Sequence, residues 1–173
     1  TGETNIWNGT LNFDGKLTNS ALWLNRHTTL NTNGGQFKSI KMDYASKLNI
    51  GETSVPGSAT VGTLALGFGS RVILDIYNDG LKADQLNATS LSIETKNWNY
   101  GPDYLMPVIE FVPHLGAELE IAEGEYLLGE VGTITGKLAQ IKVEGVSTNK
   151  KSYLKHEDGK LYLVIEGVRD AAS

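Results

Sequence analysis

Three stretches between Ser20 and Ile76 repeat one pattern: Ala21-Leu22-Trp23-Leu24-Asn25-Arg26-His27-Thr28-Thr29-Leu30-Asn31-Thr32, then Ile40-Lys41-Met42-Asp43-Tyr44-Ala45-Ser46-Lys47-Leu48-Asn49-Ile50, and then Leu64-Ala65-Leu66-Gly67-Phe68-Gly69-Ser70-Arg71-Val72-Ile73-Leu74. When the copies are aligned from Leu22, Ile40 and Leu64, the same four positions match: i, i+2, i+8 and i+10. All of them are apolar except Thr32. An apolar i, i+2 pair is the alternation of a β-strand that turns one face inward. Each copy therefore predicts two short strands joined by a bend.

The spacing of the copies predicts a solenoid. Leu22 and Ile40 are 18 residues apart, and Ile40 and Leu64 are 24 apart. Repeats of about 20 residues are typical of coils that stack to bury a shared core. The extra residues fall between Gly51 and Ser58, a run rich in turn formers, which predicts a loop at one corner. An antiparallel meander or sandwich of short strands is the alternative interpretation.

The last third of the chain alternates apolar and polar residues but does not repeat the opening pattern. The sequence Glu157-Asp158-Gly159-Lys160 predicts a tight hairpin turn. We expect residues 1–96 to form the coils, and residues 97–173 to form a final coil and a β-hairpin capping region of the same unit. Strand candidates here are Leu119–Ile121, Tyr126–Leu128, Val131–Ile134, Leu138–Val143, Tyr153–Leu154 and Leu161–Ile165.

Composition narrows the classes of function. A formal net charge of −5 disfavours a nucleic-acid binder, which needs a basic face to meet phosphates. The absence of cysteine excludes disulfides, thiolate metal sites and a cysteine nucleophile. The three histidines are far apart in the sequence, so we expect no metal site and no cofactor. No apolar run is long enough to span a bilayer, so we expect no membrane insertion of this fragment. The missing initiator Met suggests a piece of a longer protein.

Two groups of segments resemble a known family. Ser20-Ala21-Leu22-Trp23-Leu24 with Leu30-Asn31-Thr32, and Ser39-Ile40-Lys41-Met42-Asp43-Tyr44 with Lys47-Leu48-Asn49-Ile50-Gly51, resemble the passenger-type right-handed parallel β-helix of Gram-negative surface proteins. The run from Gly69 to Ile76, with Ala83-Asp84-Gln85-Leu86, is similar to the closing coils of autotransporter-like passengers. The resemblance implies an all-β, pectin-lyase-like right-handed β-helix with a C-terminal hairpin cap. It also implies an exported bacterial protein, secreted or held at the cell surface (outer membrane-associated), and often adhesive.

We therefore expect a non-catalytic structural or adhesin-type segment. Its expected partners are other domains of the parent chain, and glycans or host surfaces. The candidate ligand-binding residues are Trp98, Tyr100 and Tyr104, which share one Gly- and Pro-containing loop, and Trp23. Trp23 stands between two inward leucines and should point outward. The competing interpretation of the aromatic loop is that it folds back, with Trp98 plugging the end of the stack.

The alternative is a carbohydrate-active enzyme, a polysaccharide lyase or hydrolase, or its accessory carbohydrate-binding domain. A hydrolase needs two carboxylates that flank the scissile bond, and the candidates are Asp75, Asp79 and Asp84, with Asp43 on a neighbouring copy. A lyase would need a base, for which Arg71 and Lys82 are candidates. The simpler explanation is that all of them are solvated residues of strands and turns. We therefore expect no catalytic residues.

Overall fold

The computed structural model describes residues 2–52, 55–94, 106–146 and 149–167. These residues form fifteen strands and one 3₁₀ helix, Leu138–Gln140. The strands are β1 (Glu3–Ile6), β2 (Gly9–Asn12), β3 (Lys16–Leu24), β4 (Thr28–Thr32), β5 (Gly35–Met42), β6 (Lys47–Ile50), β7 (Ser58–Leu66), β8 (Arg71–Tyr77), β9 (Lys82–Ala83), β10 (Gln85–Ile93), β11 (Val108–His114), β12 (Gly124–Thr135), β13 (Lys142–Glu144), β14 (Lys150–Glu157) and β15 (Lys160–Gly167). In this part of the chain, no helix has the length and apolar character needed to cross a membrane.

The strands lie in two large sheets, and successive strands mostly alternate between them. One sheet has eight strands in the order β1-β3-β5-β7-β10-β12-β15-β14. The other has seven, in the order β13-β11-β8-β6-β4-β2, with β9 paired to β8. Pairing is parallel from β1 to β12 in the first sheet and along the whole ordered path of the second. The pairs β12–β15, β14–β15 and β8–β9 are antiparallel.

Matching positions of the sequence repeat are cross-strand partners in both sheets. Leu22 stands beside Ile40, and Ile40 beside Leu64, in β3, β5 and β7. The second apolar pair of each copy builds the other sheet in the same way, with Leu30 beside Leu48 in β4 and β6. All of these side chains are buried in one core. The predicted alignment of the three copies is therefore confirmed at the level of strand pairing.

The predicted fold is nevertheless wrong beyond its all-β class. The chain does not form a right-handed, pectin-lyase-like β-helix with a hairpin cap, because its strands lie in two large, mostly parallel sheets and not in one closed solenoid. The hairpin β14–β15 extends the eight-stranded sheet as antiparallel strands, where a cap was predicted. A repeat of apolar pairs determines which strands are neighbours, but it carries no information on how the sheets close.

Long strands of the eight-stranded sheet break their alternation once. In β7, the buried residues are Ala59, Val61, Leu64 and Leu66, so two successive residues in the middle of the strand lie outside the core. The strands β5 and β10 show the same interruption at the paired positions. Because successive residues of a regular strand face opposite sides, the backbone must bend or twist here. Both halves of each strand thereby keep an apolar face toward the core.

The predicted hairpin turn is confirmed. Glu157 pairs with Lys160, and both turn residues have positive φ, 52° at Asp158 and 71° at Gly159. This is the backbone of a two-residue type I′ hairpin. The predicted strand Leu119–Ile121 is wrong, since these residues lie between β11 and β12 and Leu119 is 97% exposed.

The bends that join the two strands of each copy share a turn that the sequence pattern did not reveal. His27, Ala45 and Gly69 occupy the same position in the three copies and all have positive φ, between 59° and 70°. The hydroxyl of the next residue donates a hydrogen bond to the carbonyl three residues earlier. Ser46 Oγ, for example, donates to the Asp43 carbonyl at 2.6 Å. Thr28 and Ser70 do the same, and all three hydroxyl residues are buried. Each hydroxyl therefore satisfies a backbone acceptor inside a tight bend.

Candidate functional site

Trp23 lies on the outer face of the eight-stranded sheet. It is half-buried in β3, between the fully buried Leu22 and Leu24. Its cross-strand neighbours are Asn5 in β1 and Lys41 in β5. The side chain therefore stands outward, as the alternation of the strand predicted.

A cleft of about 420 Å³ opens beside this tryptophan. Its lining residues are Trp23, Lys41, Met42, Asp43, Ala65, Leu66, Gly67, Ser92 and Glu94. The cleft exists because side-chain size falls along one row of the sheet. Lys41 pairs with Ala65, which pairs with Ser92, so two small residues follow two large ones. The small residues form the floor of the cleft, and the bulky ones form its wall.

The wall is a cation–aromatic pair. The Lys41 ammonium nitrogen lies 4.4 Å from the centroid of the Trp23 ring. Such a contact at an exposed site contributes about 0.5–1 kcal/mol. The Trp23 Nε1 atom is inaccessible to solvent and has no hydrogen-bond partner among the described residues. The indole can therefore offer a ligand its ring, and a ligand that stacks there must displace the Lys41 amine.

Two carboxylates also line the cleft, those of Asp43 and Glu94. The Asp43 carboxylate accepts a hydrogen bond from the backbone N–H of Tyr44 at 2.7 Å. The Glu94 carboxylate accepts one from the backbone N–H of Phe68 at 3.2 Å. Both acids are thus oriented by the bends that follow β5 and β7. With the Lys41 amine they give the cleft one cationic donor and two anionic acceptors, within a protein of formal charge −5.

The bend next to the cleft also carries aromatic and basic side chains. The Arg26 guanidinium carbon lies 5.3 Å from the centroid of the Tyr44 ring. His27 meets the same ring edge-on at 6.2 Å. Because Arg26, His27 and Tyr44 occupy equivalent bends in neighbouring copies, the register of the strands brings them together.

The other predicted binding residues, Trp98, Tyr100 and Tyr104, lie outside the described residues. Only Trp23 among the predicted ligand-binding residues can therefore be placed. It takes part in the cleft described above.

The carboxylates considered for an enzyme do not form an accessible pair. Asp75 and Asp84 are 5% and 0% exposed, and the Asp84 carboxyl accepts the backbone N–H of Asp75 at 2.7 Å. Two carboxyls buried side by side cannot flank a substrate bond. Asp79 is exposed in a turn. Asp43 follows β5 of the eight-stranded sheet, whereas Asp75 lies in β8 of the other, so these two do not line one face.

Of the two candidate bases, Arg71 is paired with carboxylates and Lys82 is exposed in another strand. The Arg71 guanidinium contacts the Glu110 carboxylate at 2.6 Å and the Glu144 carboxylate at 3.0 Å, on the seven-stranded sheet. Hydrogen bonding to Arg71 lowers the pKa of Glu144. Lys82 lies in the short strand β9 and is exposed. Within the described ranges, no group of three or more His, Asp or Glu side chains is arranged to hold a metal ion.

The sequence pattern missed a buried cluster around Asp75 and Asp84. The His114 Nε2 atom lies 2.9 Å from Asp75 Oδ1, and its ring stacks on Tyr77 at 4.6 Å between centroids. Burial raises the pKa of Asp84 to about 7 and that of Tyr77 to about 12. Asp75 and His114 are 39 residues apart in the sequence. The pairing of β8 with β11 brings them together, and no local motif signals it.

Comparison with known proteins adds no relative on which to base a function. No protein-family model matches the sequence, and no curated protein matches it either. The resemblance to autotransporter-like passengers therefore stays a prediction from the sequence.

Proposed function

We propose that this chain is a non-catalytic, adhesin-type segment of an exported surface protein, and that it binds a glycan in the cleft beside Trp23. The observation that carries the proposal is the cleft itself, which combines an indole ring with charged and hydroxyl groups on an outer sheet face. The location outside the cell rests on the sequence resemblance alone.

The chemistry of the cleft suits a sugar. An aromatic ring offers an apolar face to the C–H groups of a pyranose, and nearby polar groups fix the hydroxyls. Trp23 supplies the ring. The Lys41 amine and the Asp43 and Glu94 carboxylates supply donors and acceptors at the rim. The Ser92 hydroxyl adds a neutral partner on the floor.

The dimensions of the cleft support a small ligand. A volume of about 420 Å³ lies at the lower end of the 300–1,000 Å³ typical of small-molecule sites. A ligand of one or two sugar residues fits this scale. Binding of one such unit should be weak, because the ligand must displace the Lys41 amine from the indole face. Adhesion would then depend on many copies acting together.

The test is a glycan array on the wild-type chain and on three tryptophan variants. Trp23→Ala should lose binding to whichever glycans the wild type binds. Trp7→Ala is the matched control, because Trp7 is 74% exposed between β1 and β2 and lies outside the cleft. It should bind as the wild type does. The third variant, Trp98→Ala, tests the aromatic loop.

Three outcomes would overturn the proposal. The first is an array without any bound glycan when circular dichroism shows a folded protein. The second is binding that survives Trp23→Ala. The third is binding that only Trp98→Ala removes, which would move the site to the aromatic loop.

A further inference from the structure

One carboxyl group connects the two sheets. Asp84 lies between β9 and β10 and is fully buried. Its Oδ1 atom accepts the backbone N–H of Gly57 at 2.8 Å, one residue before β7 of the eight-stranded sheet. Its Oδ2 atom accepts the backbone N–H of Asp75 at 2.7 Å, in β8 of the seven-stranded sheet. A single side chain therefore bridges the backbones of both sheets.

Backbone bonds hold Asp84 at this junction. The N–H of Asp84 donates to the Asp75 carbonyl at 2.9 Å. The N–H of the next residue, Gln85, donates to the Gly57 carbonyl at 2.8 Å. The carboxyl is thus positioned by the strands that it joins. Gly57 and Asp75 each accept a backbone N–H, from Gln85 and Asp84 respectively, and donate their own N–H to the Asp84 carboxyl.

The surrounding backbone is packed tightly against the carboxyl. Gly51, the residue after β6, has a φ of +86°. A Cβ atom at this position would lie 2.6 Å from Asp84 Oδ1, closer than such atoms approach in proteins. Glycine is therefore required here by both its conformation and the space. The junction leaves Asp84 little freedom to turn toward solvent.

The titratable groups around Asp84 come from two strands. Asp75 and Tyr77 belong to β8, and His114 of β11 contacts the Asp75 carboxylate at 2.9 Å. The contacts from the segment between β6 and β7 come from Gly51 and Gly57, which carry no side-chain charge. Two buried carboxyl groups thus adjoin each other, with one imidazole beside them.

The electrostatics of such a pair depend on pH. A buried carboxyl beside a second carboxyl ionises only at a large cost, so it keeps its proton over a range in which an isolated acid is ionised. Burial is the main cause that raises the pKa of Asp84 to about 7. The hydrogen bond and the charge of Asp75 act in the same direction, while the N–H groups of Gly57 and Asp75 oppose the shift.

We propose that the Asp84 carboxyl, buried beside Asp75, is a pH-sensitive tie between the two sheets, firm while this carboxyl is protonated and loosened when it ionises. The tie acts at the backbone of Gly57 and Asp75, where β7 and β8 belong to different sheets. The tie is independent of the cleft at Trp23. The cleft lies at the C-terminal ends of β5 and β7, whereas Gly57 precedes the N-terminal end of β7.

The test is the amide exchange of Gly57 and Asp75, followed by NMR from pH 5 to pH 9 and expressed as protection factors. These factors correct for the intrinsic pH dependence of exchange. In the wild type we expect protection of both amides to fall at least tenfold as the pH rises through about 7, because burial and the charge of Asp75 disfavour the ionised carboxyl more than the two N–H bonds favour it. Asp84→Asn cannot ionise and should show no such transition. Asp79→Asn is the matched control, because Asp79 is an exposed turn residue of the same region, and it should behave as the wild type.

A further variant keeps the test decisive if Asp84→Asn does not fold. Asp75→Asn removes a hydrogen bond and a charge that raise the pKa of Asp84, so the transition should move to lower pH. Protection that stays constant from pH 5 to pH 9 in the wild type would overturn the proposal. A transition that persists in Asp84→Asn, or that Asp75→Asn leaves at the same pH, would overturn it as well.

Discussion

The ammonium group of Lys41 lies over the indole ring of Trp23, 4.4 Å from its centroid, and together they form one wall of the outer cleft. The two residues are direct neighbours on β3 and β5. This pairing explains why an outward tryptophan is only half-exposed. It also places a positive charge where a ligand would stack.

Removing the Lys41 amine should cost little stability. Because a cation–aromatic contact at an exposed site contributes about 0.5–1 kcal/mol, we expect Lys41→Met to lower the free energy of unfolding by that amount. Urea unfolding measures it. Lys38→Met, at an exposed lysine of the same strand, is the control and should change stability by less than about 0.5 kcal/mol. A loss as small for Lys41→Met as for Lys38→Met would show that the contact adds nothing to stability.

The bend at Ala45 should accept glycine. Its φ of 59° is unfavourable for a residue with a Cβ, and the equivalent bend of the next copy has Gly69. The relief of about 1–2 kcal/mol is partly offset by the greater flexibility of glycine in the unfolded chain, about 0.5–1 kcal/mol. We therefore expect Ala45→Gly to raise the melting temperature slightly. A lowered melting temperature would contradict this account of the bend.

The reverse change at Gly69 should destabilise the protein. A Cβ atom there would lie 2.7 Å from the Tyr44 ring, and the backbone has a φ of 70°. Strain and contact act together, so we expect Gly69→Ala to cost about 1–3 kcal/mol in urea unfolding. Gly159→Ala is a useful comparison, since its φ is 71° but open space surrounds it. Equal losses for the two variants would mean that the Tyr44 contact is unimportant.

The hydroxyl of Ser46 should contribute to the stability of its bend. It is fully buried and donates to the Asp43 carbonyl at 2.6 Å. Removing a buried hydrogen bond of this kind costs about 0.5–1.5 kcal/mol. We expect Ser46→Ala to lose that amount and Ser46→Thr to lose less, because the equivalent bend of the first copy has Thr28. Equal losses for both variants would contradict a role of the hydroxyl.

Stability should depend on pH through Asp84. Its pKa in the folded chain, about 7, lies above its ordinary value of 3.8. The folded chain therefore holds a proton that the unfolded chain releases, and stability from this group is complete below about pH 4 and lost as the pH rises through 7. Glu144 acts in the opposite direction, because Arg71 lowers its pKa. The difference in unfolding free energy between wild type and Asp84→Asn isolates the effect, and it should fall between pH 4 and pH 8. A difference that does not change with pH would contradict the raised pKa.

The periodicity of the sequence predicted the strand register and the side of the strand on which Trp23 lies. The alignment of Leu22 with Ile40 and Leu64 is the strand register, and the outward position of Trp23 follows from alternation. The closure of the sheets was not predictable, because the same apolar rows suit a closed coil and a pair of open sheets. At the antiparallel end of the eight-stranded sheet, alternation predicted strands, and the hairpin turn at Asp158-Gly159 was the signal of their antiparallel direction.

The composition of the candidate sites was harder to predict than the strands. The cleft depends on side-chain size along one row, where Ala65 and Ser92 follow Lys41, and this row is visible only once the register is known. The contact of Asp75 with His114 depends on the pairing of β8 with β11. Neither arrangement leaves a pattern in consecutive residues, since each is built across strands.

The most direct test of the binding proposal is an NMR titration of the wild-type chain with a glycan selected on the array, followed through the indole N–H signals of Trp7, Trp23 and Trp98. The proposal predicts that the Trp23 signal shifts in a saturable way, together with the backbone amide of Ser92 on the cleft floor. The Trp7 signal should stay in place. Saturable shifts confined to Trp98, or a titration that leaves Trp23 unchanged while the glycan binds, would contradict the claim that the cleft beside Trp23 is the binding site.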